Sequence, residues 1–349
     1  MTNAVTLAQL ASSTNPVGYR NRLINGSFDL WQRGTSFSNL QTYGADRWKA
    51  TYNDCGGNYT QQTSDLAGFN YQLRMIKGSN VNGSFMVQQA IETQNTPDMI
   101  GQWVTFSCWA KLSNATTQAT HQFTMALGFS VTTDYSGWVN SSDICSYYAS
   151  WRASGATAVT FQAGSTTSSP STPQQSSGVL SSSWQRFYYT LLVPTNTKTI
   201  VCGLYSEATV LAGGIEVVGA QFELGTVPSP FERRHIQQEA AMAYRYFYKT
   251  NPDNIDGCGG PIGSAFSGGS SGLAYKFPVQ MRAIPGVTRG GTQDNIWISG
   301  SNTRYGSASF YNTCISRDGW FTENTHGNTG VATGMTAMYN GQLSISAEI

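Results

Sequence analysis

Charge is what this sequence has least of: 20 Lys and Arg with 19 Asp and Glu, 39 of 349 residues, make 11%, against about a quarter in an ordinary soluble domain. The balance matters as much as the scarcity. Up to Glu232 there are 11 basic and 12 acidic residues, and after it 9 and 7. Neither half therefore carries the positive field that holds phosphate backbones or anionic lipid, which excludes nucleic-acid and membrane-surface binding as leading functions. Long apolar runs are also missing. No stretch approaches the roughly 18 to 20 consecutive apolar residues of a spanning helix, so no membrane insertion is expected. Residues 1–17 have no basic n-region, long apolar core or cleavage site, and no Sec-type export is expected.

Close cysteine spacing is absent too. Cys55, Cys108, Cys145, Cys202, Cys258 and Cys314 lie 37 to 57 residues apart with no Cys-x-x-Cys pair, unlike a zinc knuckle or a disulfide-dense scaffold. Reduced thiols, most of them buried, are the expectation. His121, His235 and His326 sit in unrelated contexts without metal-site spacing. There is no P-loop and no Gly-x-Gly-x-x-Gly. Gly268-Gly269-Ser270-Ser271-Gly272 has the form of a nucleophile elbow but lies in a Gly/Ser loop with no helix after it. With 19 acidic residues and no locally signalled pair, nothing indicates the two carboxylates that glycoside hydrolysis needs. The chain reads as a non-enzyme.

What is present is apolar and aromatic material, 40% and 12% of residues, with 37 Gly. This is enough to fold, and it points to an all-β architecture with polar loops. Period-two runs recur between turn clusters at Tyr71–Ile76, Phe85–Ile91, Trp103–Leu112, His121–Val131, Ala158–Ala163, Trp184–Val193, Thr199–Tyr205 and Ile215–Leu224, the rhythm of an antiparallel sandwich. Gly164–Ser183 reads as a long surface loop. Between Phe231 and Lys249, Ile236, Ala240, Ala243, Tyr244 and Phe247 share one helical face. Ser229-Pro230-Phe231-Glu232 has the form of a capping box for that helix, which could equally start near Ile236.

Beyond Asn251–Ser271, further runs at Gly272–Pro278, Ile284–Arg289, Asn295–Ser299, Ala308–Ile315, Gly319–Thr322, Thr336–Tyr339 and Leu343–Ile349 indicate a second β domain. The expected division is an N-terminal arm over 1–19, a β-sandwich over 20–232, a connecting helix over 233–250 and a smaller β-sandwich over 251–349. Poorly charged strand edges make that last domain more comfortable in an oligomer.

Alternation also assigns faces. With Val104, Phe106, Cys108 and Ala110 inside, Trp109 points out beside Thr105, Ser107 and Lys111. Burying Phe187, Tyr189, Leu191 and Val193 turns Trp184, Arg186 and Tyr188 outward, and burying Val218, Ala220, Phe222 and Leu224 exposes Gln221 and Glu223. Flat aromatic faces flanked by amide, carboxylate and guanidinium groups suit sugars. Trp109, Arg186, Tyr188, Gln221 and Glu223 are thus the candidate glycan-binding residues. The other reading of Trp109 and Tyr188 is packing under a loop or against a neighbouring subunit.

Three groups of residues carry a resemblance. Asn21-Arg22-Leu23-Ile24-Asn25-Gly26-Ser27-Phe28-Asp29-Leu30-Trp31-Gln32-Arg33-Gly34 and Tyr43-Gly44-Ala45-Asp46-Arg47-Trp48 resemble the opening of the carbohydrate-binding-module-like jelly roll of bacteriophage virion proteins. Gly219-Ala220-Gln221-Phe222-Glu223-Leu224-Gly225, Pro228-Ser229-Pro230-Phe231-Glu232 and Tyr244-Arg245-Tyr246-Phe247 resemble its closing strand and exit helix. Lys276-Phe277-Pro278-Val279-Gln280-Met281-Arg282-Ala283-Ile284-Pro285 and Ile345-Ser346-Ala347-Glu348-Ile349 resemble the C-terminal β module that often follows. The resemblance implies a homotrimeric structural protein on the outside of a phage particle, joined to other virion proteins through its N-terminal arm. It would be a tail fibre or adhesin binding host surface glycan; the alternatives are a capsid decoration protein or head fibre and, less favoured, a polysaccharide depolymerase. In the opening motif, Phe28 and Trp31 are expected in the core, Gly26 in a turn, and Asp46 with Arg47 as an ion pair. The resemblance also implies a place for a structural calcium, with Asn25, Asp29 and Glu223 as candidate ligands. No other cofactor is expected.

Overall fold

The computed structural model describes residues 19–348 apart from 39–40, 54–56, 78–83, 114–120, 136–146, 153–158, 164–179, 209–213, 251–260, 267–268, 291–294, 299–302, 307–308, 326–334 and 340–341. The expected arm over residues 1–19, apart from Tyr19, lies outside the described residues, as do most of the Gly164–Ser183 loop and Cys55, Cys145 and Cys258. Two compact units divide the chain between His235 and Ile236.

The described residues of the first unit form twelve strands: β1 (Ser36–Ser38), β2 (Lys49–Asn53), β3 (Gly57–Thr63), β4 (Tyr71–Lys77), β5 (Ser84–Ile91), β6 (Trp103–Leu112), β7 (His121–Ser130), β8 (Tyr147–Arg152), β9 (Val159–Ala163), β10 (Gln185–Leu192), β11 (Thr199–Ala208) and β12 (Gly214–Leu224). They form two six-stranded sheets, ordered β1-β3-β4-β12-β6-β10 and β2-β5-β11-β7-β8-β9, and their pairings are antiparallel. The chain crosses from one sheet to the other at most connections, the wiring of a jelly roll. One core lies between the sheets. Leu73, Met75, Val104, Phe106, Cys108, Phe187, Tyr189 and Phe222 meet Phe85, Val87, Phe123, Met125, Leu127, Ile200 and Leu204 there. Each large apolar side chain so buried contributes about 1.5 to 3 kcal/mol relative to exposure.

Cys108 and Cys202 are buried free thiols, and burial pushes both well above the ordinary thiol range. Cys314, by contrast, is exposed.

β12 departs from simple alternation. Val218 faces Trp109 on β6 and Gln221 faces Ser107, so Gly219 and Ala220 together oppose Cys108. This is a β-bulge opened by Gly219 at φ +66°, a conformation that costs glycine little. The extra residue inverts the facing: Ile215 and Val217 enter the core ahead of it, and Ala220 and Phe222 after it. Val218 is therefore buried on the outer side beside Trp109, correcting its expected inward orientation.

Pairing with β4 covers Gly214–Val217. Past the bulge, the opening segment takes β4's place. Asn21 donates through Nδ2 to the Ala220 carbonyl and accepts the Phe222 amide at Oδ1, while the Arg22 amide reaches the Phe222 carbonyl and the Ala220 amide reaches Gly26. Gly26 is present for this approach: a Cβ there would lie 2.1 Å from the Ala220 carbonyl oxygen. The adjoining Asn25 occupies left-handed φ at +57°. Phe28 and Trp48 fill the core with ring centroids 5.1 Å apart, and Trp31 packs against it partly buried. Asp46 meets Arg33 at 3.8 Å and accepts from Gln32, while Arg47 donates to the Ala90 carbonyl.

The second unit, Ile236–Glu348, begins with helix α1 (Ile236–Tyr244) and continues with β13 (Phe247–Lys249), β14 (Ile262–Phe266), β15 (Ser270–Lys276), β16 (Gly286–Gly290), β17 (Asn295–Ile298), β18 (Thr303–Gly306), β19 (Ser309–Ile315), β20 (Gly319–Thr325), β21 (Thr336–Tyr339) and β22 (Gln342–Ser346). A seven-stranded sheet, β18-β17-β21-β14-β15-β20-β19, and a three-stranded one, β13-β22-β16, enclose Leu273, Ile296, Ile298, Trp320, Tyr339, Leu343 and Ile345.

The helix is shorter than its periodicity predicts. Phe247, expected on its apolar face, instead pairs with Ser346 in β13, and Ile236 is 49% exposed while Glu239 and Ala243 are the buried positions. Ser229–Glu232 is not helical, because Ser229 is bonded to Glu223 instead of capping a first turn.

Candidate functional site

The outer face of the first sheet is built in cross-strand rows. Register aligns Thr60, Arg74, Glu216 and Lys111 across β3, β4, β12 and β6, and Trp184, just before β10, continues the row. Side chains at such positions touch, so opposite charges here hold one another. Arg74 donates to Glu216 Oε1 through Nε at 2.8 Å and Nη2 at 2.6 Å. Lys111 Nζ lies 3.3 Å from Glu216 Oε2 and 2.5 Å from Asp65 Oδ2. The indole Nε1 of Trp184 donates to Asp65 Oδ1 at 2.8 Å, and Lys111 Nζ sits 4.9 Å from the indole ring centre. Lys111 and Glu216 retain only 5% and 3% side-chain exposure, whereas Asp65 keeps 62%. Burying two charges is tolerable because each has an ionic partner.

The Lys111 hydrogen bond, with help from Trp184, holds Asp65 below the usual carboxylate range despite some desolvation. A carboxyl depressed on folding stabilises the fold above its unfolded pKa, and that contribution disappears as pH falls through the folded value. At so exposed a group solvent screening keeps the effect small. Urea midpoints of wild type and Asp65→Asn are expected to differ at pH 7 and to converge as pH falls through and below the ordinary carboxylate range.

The next row runs Val218, Trp109 and Arg186. Trp109 is half-buried between Val218 and Arg186. A Cβ on Gly219 would lie 3.2 Å from the Trp109 ring and 3.0 Å from Phe69. The missing side chain at the bulge thus admits both rings. Phe69 in turn meets Phe231 at 5.2 Å, with the Arg233 guanidinium 5.1 Å above it. Trp109 is accordingly flanked by the β3–β4 loop, as the packing alternative for it anticipates. Tyr188, half-buried on the edge strand β10, stands opposite Ser107.

The far end of the face is closed. Gln221 is fully buried and Glu223 is 3% exposed, which corrects their expected exposure. The segment following β12 lies over them. Glu223 accepts the Ser229 amide at 2.9 Å and its hydroxyl at 2.5 Å, while Gln221 donates to Ser229 Oγ and accepts the Glu232 amide at 2.7 Å. Arg186 donates to Ser107 Oγ at 3.2 Å and to the Ser229 carbonyl. Burial draws its guanidinium down in pKa, with Glu223 opposing the shift. Thr105 and Thr190 hold the carbonyls of Gly225 and Thr226. Arg186, Gln221 and Glu223 thus bind this protein's own exit segment.

The expected calcium ligands are committed separately. Asn25 is fully buried and closes its own turn, donating to the Leu30 and Asp46 carbonyls and accepting the Leu30 amide. Asp29 accepts from Ser27 and lies 3.9 Å from Arg233. Among the described residues no three His, Cys, Asp or Glu side chains converge as a metal site would require. These residues do not fit a calcium cage.

Two of the proposed glycan contacts, Trp109 and Tyr188, remain within reach of solvent. Trp184 and Asp65 join them. Trp184 and Lys111 were legible as outward positions, but Asp65 lies in a polar loop with no periodic signal.

No family model matches this sequence, and neither does any curated protein. Similar solved structures include the enzymatically active domain of Bacteriophage CBA120 tailspike protein 4, with TM-score 0.36, 13% identity, and 59% of this chain covered against 22% of that one. Another is the C-terminal family 22 carbohydrate-binding module of Clostridium thermocellum Xyn10B, at TM-score 0.32, 14% identity and 56% against 98% coverage. TmCBM61 in complex with β-1,4-galactotriose follows at TM-score 0.29, 11% identity and 60% against 99%. At TM-scores below 0.5 these likenesses carry no argument, so the functional reading rests on this chain's own residues.

Proposed function

We propose that the N-terminal sandwich binds carbohydrate on the outer face of its first sheet, through Trp109, Trp184 and Tyr188 with Asp65 beside them. The observation that carries this reading is the set of three half-buried aromatic side chains on successive rows of the face, Trp184 beside Lys111, Trp109 opposite Arg186 and Tyr188 opposite Ser107, with Trp184 fixed at Asp65 Oδ1. Such rings stack on sugar C–H faces, and their orientation is set before a ligand arrives, which lowers the ordering cost of binding. Asp65, its side chain 62% exposed beside them, accepts sugar hydroxyls.

The role is non-catalytic. The two carboxylates of the ionic row are ion-paired, Glu216 with Arg74 and Lys111 and Asp65 with Lys111. Neither is poised as the proton donor that glycoside cleavage requires. With the resemblance of the opening and closing motifs, the chain reads as a homotrimeric tail fibre or adhesin on a phage particle, its residues 1–19 joining other virion proteins.

A glycan array tests the site. Wild type is expected to bind a discrete set of surface glycans, and Trp184→Ala or Tyr188→Ala to weaken binding tenfold or more, about the 1.4 kcal/mol of one lost stacking contact. Binding untouched by both substitutions would remove the assignment. Reducing ends released from a bound glycan would overturn the non-catalytic role.

A further inference from the structure

The outer face of the first sheet offers a ligand an open anion and withholds its cations. Four cations among the described residues stand on or beside it, and each is spent on groups of this chain. Arg74 turns the Nε and Nη2 edge of its guanidinium to Glu216, and Lys111 is shared by Glu216 and Asp65. Arg186 gives Nη2 to Ser107 and to the Ser229 carbonyl, and the Glu223 carboxylate offsets part of its burial. Arg233 lies over Phe69, donates to the Gly68 carbonyl and has Asp29 3.9 Å away. A guanidinium recognises a carboxylate through two parallel N–H donors, and the donor pair of Arg74 is already engaged. Arg74 also stands two strands from Lys111, about 10 Å across the sheet.

Asp65 is the contrast. Its side chain is 62% exposed while those of Lys111 and Glu216 are buried. Lys111 Nζ occupies one site on Oδ2, and Trp184 Nε1 occupies one on Oδ1. A carboxylate has about four lone-pair sites, so each oxygen keeps one for a further donor. Two such oxygens side by side accept from two neighbouring hydroxyls of a sugar ring, and the indole tied to the same carboxylate stacks on that ring's C–H face. A sugar carboxylate placed there would meet Asp65 with no unspent cation to answer it. Like charges about 4 Å apart repel by roughly a factor of five in binding even in bulk water, and by more near a protein surface.

We propose that this site selects neutral saccharides presenting two adjacent free hydroxyls to Asp65, and rejects glycans that carry a carboxylate, sulfate or phosphate at that position. Asp65 is the selectivity determinant. The inference rests on the carbohydrate reading above and names its substrate class.

An array tests it on the full chain, with neutral oligosaccharides printed beside counterparts whose C6 hydroxymethyl groups are oxidised to carboxylates. Wild type should bind the neutral members about fivefold or more tightly than their counterparts at low salt. That ratio should fall toward one at about 1 M salt, where charges are screened beyond about 3 Å. Asp65→Asn removes the charge at an exposed position and frees Lys111 toward the ligand, so the ratio should drop to one or below; the salt series on wild type decides the matter even if this variant misfolds. Of the monodeoxy analogues of a bound sugar, two at adjacent carbons should each bind about tenfold more weakly, the scale of a hydrogen bond to a charged group. Equal or tighter binding of the carboxylate members, a ratio indifferent to salt, a ratio preserved in Asp65→Asn, or no sensitive adjacent pair would each overturn the selectivity and leave the carbohydrate site standing. Binding of no glycan, neutral or charged, removes the carbohydrate reading itself and this inference with it.

Discussion

Gly26→Ala is expected to cost the N-terminal sandwich more than about 4 kcal/mol, an exceptional loss for a single methyl group. The added Cβ would stand 2.1 Å from the Ala220 carbonyl oxygen. Overpacked cores usually relax at about 1 to 3 kcal/mol by moving side chains, but here the obstacle is backbone. Moving it would break the Ala220–Gly26 and Phe222–Arg22 hydrogen bonds and draw Asn21 out of its buried contacts with β12. It would also shift the bulge that seats Trp109 and Phe69. Urea unfolding followed by tryptophan fluorescence checks this, since Trp48 lies in the same core. A midpoint close to wild type would mean that the opening segment does not complete the sheet in solution.

Lys111→Met should destabilise by about 2 to 4 kcal/mol, toward the lower part of the range for breaking a buried ion pair because Arg74 still faces Glu216. The cost arises from Glu216, left 3% exposed with one cation instead of two. A double variant, Lys111→Met with Glu216→Leu, is expected to regain much of the loss, since two apolar groups of similar volume need no desolvation. Glycan affinity discriminates between stability and recognition. Without Lys111, Asp65 loses its cation and Trp184 its packing partner, so binding should stay weak in the double variant even where stability returns. Recovery of both together would place the ionic row outside the binding site.

Much of the fold was legible because strand alternation is local. Trp103–Leu112 and Thr336–Tyr339 match the structure end to end, since their apolar sides face a core along their whole length. The short β1 and β18, the polar β2 and β3, and β14 within a Gly-rich stretch carried too little contrast between faces. Phe247–Lys249 shows the opposite failure. Its aromatic spacing continued a helical pattern, but pairing with β22 outweighed local periodicity.

The site was harder to read because its composition depends on contacts distant in sequence. Trp109, Trp184, Tyr188 and Lys111 could be placed on the outer face by parity alone. Asp65 reaches Trp184 across 119 positions and Lys111 across 46, and nothing near Asp65 announces either partner. Gln221 and Glu223 were assigned to the correct side of β12 yet misjudged as exposed. Alternation tells which way a side chain points but not what chain segment later covers it.

By itself, then, the sequence determined the all-β class, the run of strands and the paucity of charge that leaves its faces aromatic and polar. Those follow from period-two patterning and composition, which act residue by residue. The tertiary structure decided which outward residues stay open. A glycine in left-handed conformation shifts the parity of β12, and the segment behind it folds back to satisfy Arg186, Gln221 and Glu223. Trp109, Trp184, Tyr188 and Asp65 keep solvent exposure on that face, because burial of polar groups demands partners and the chain supplied them to Arg186, Gln221 and Glu223 at one end and to Lys111 and Glu216 at the other.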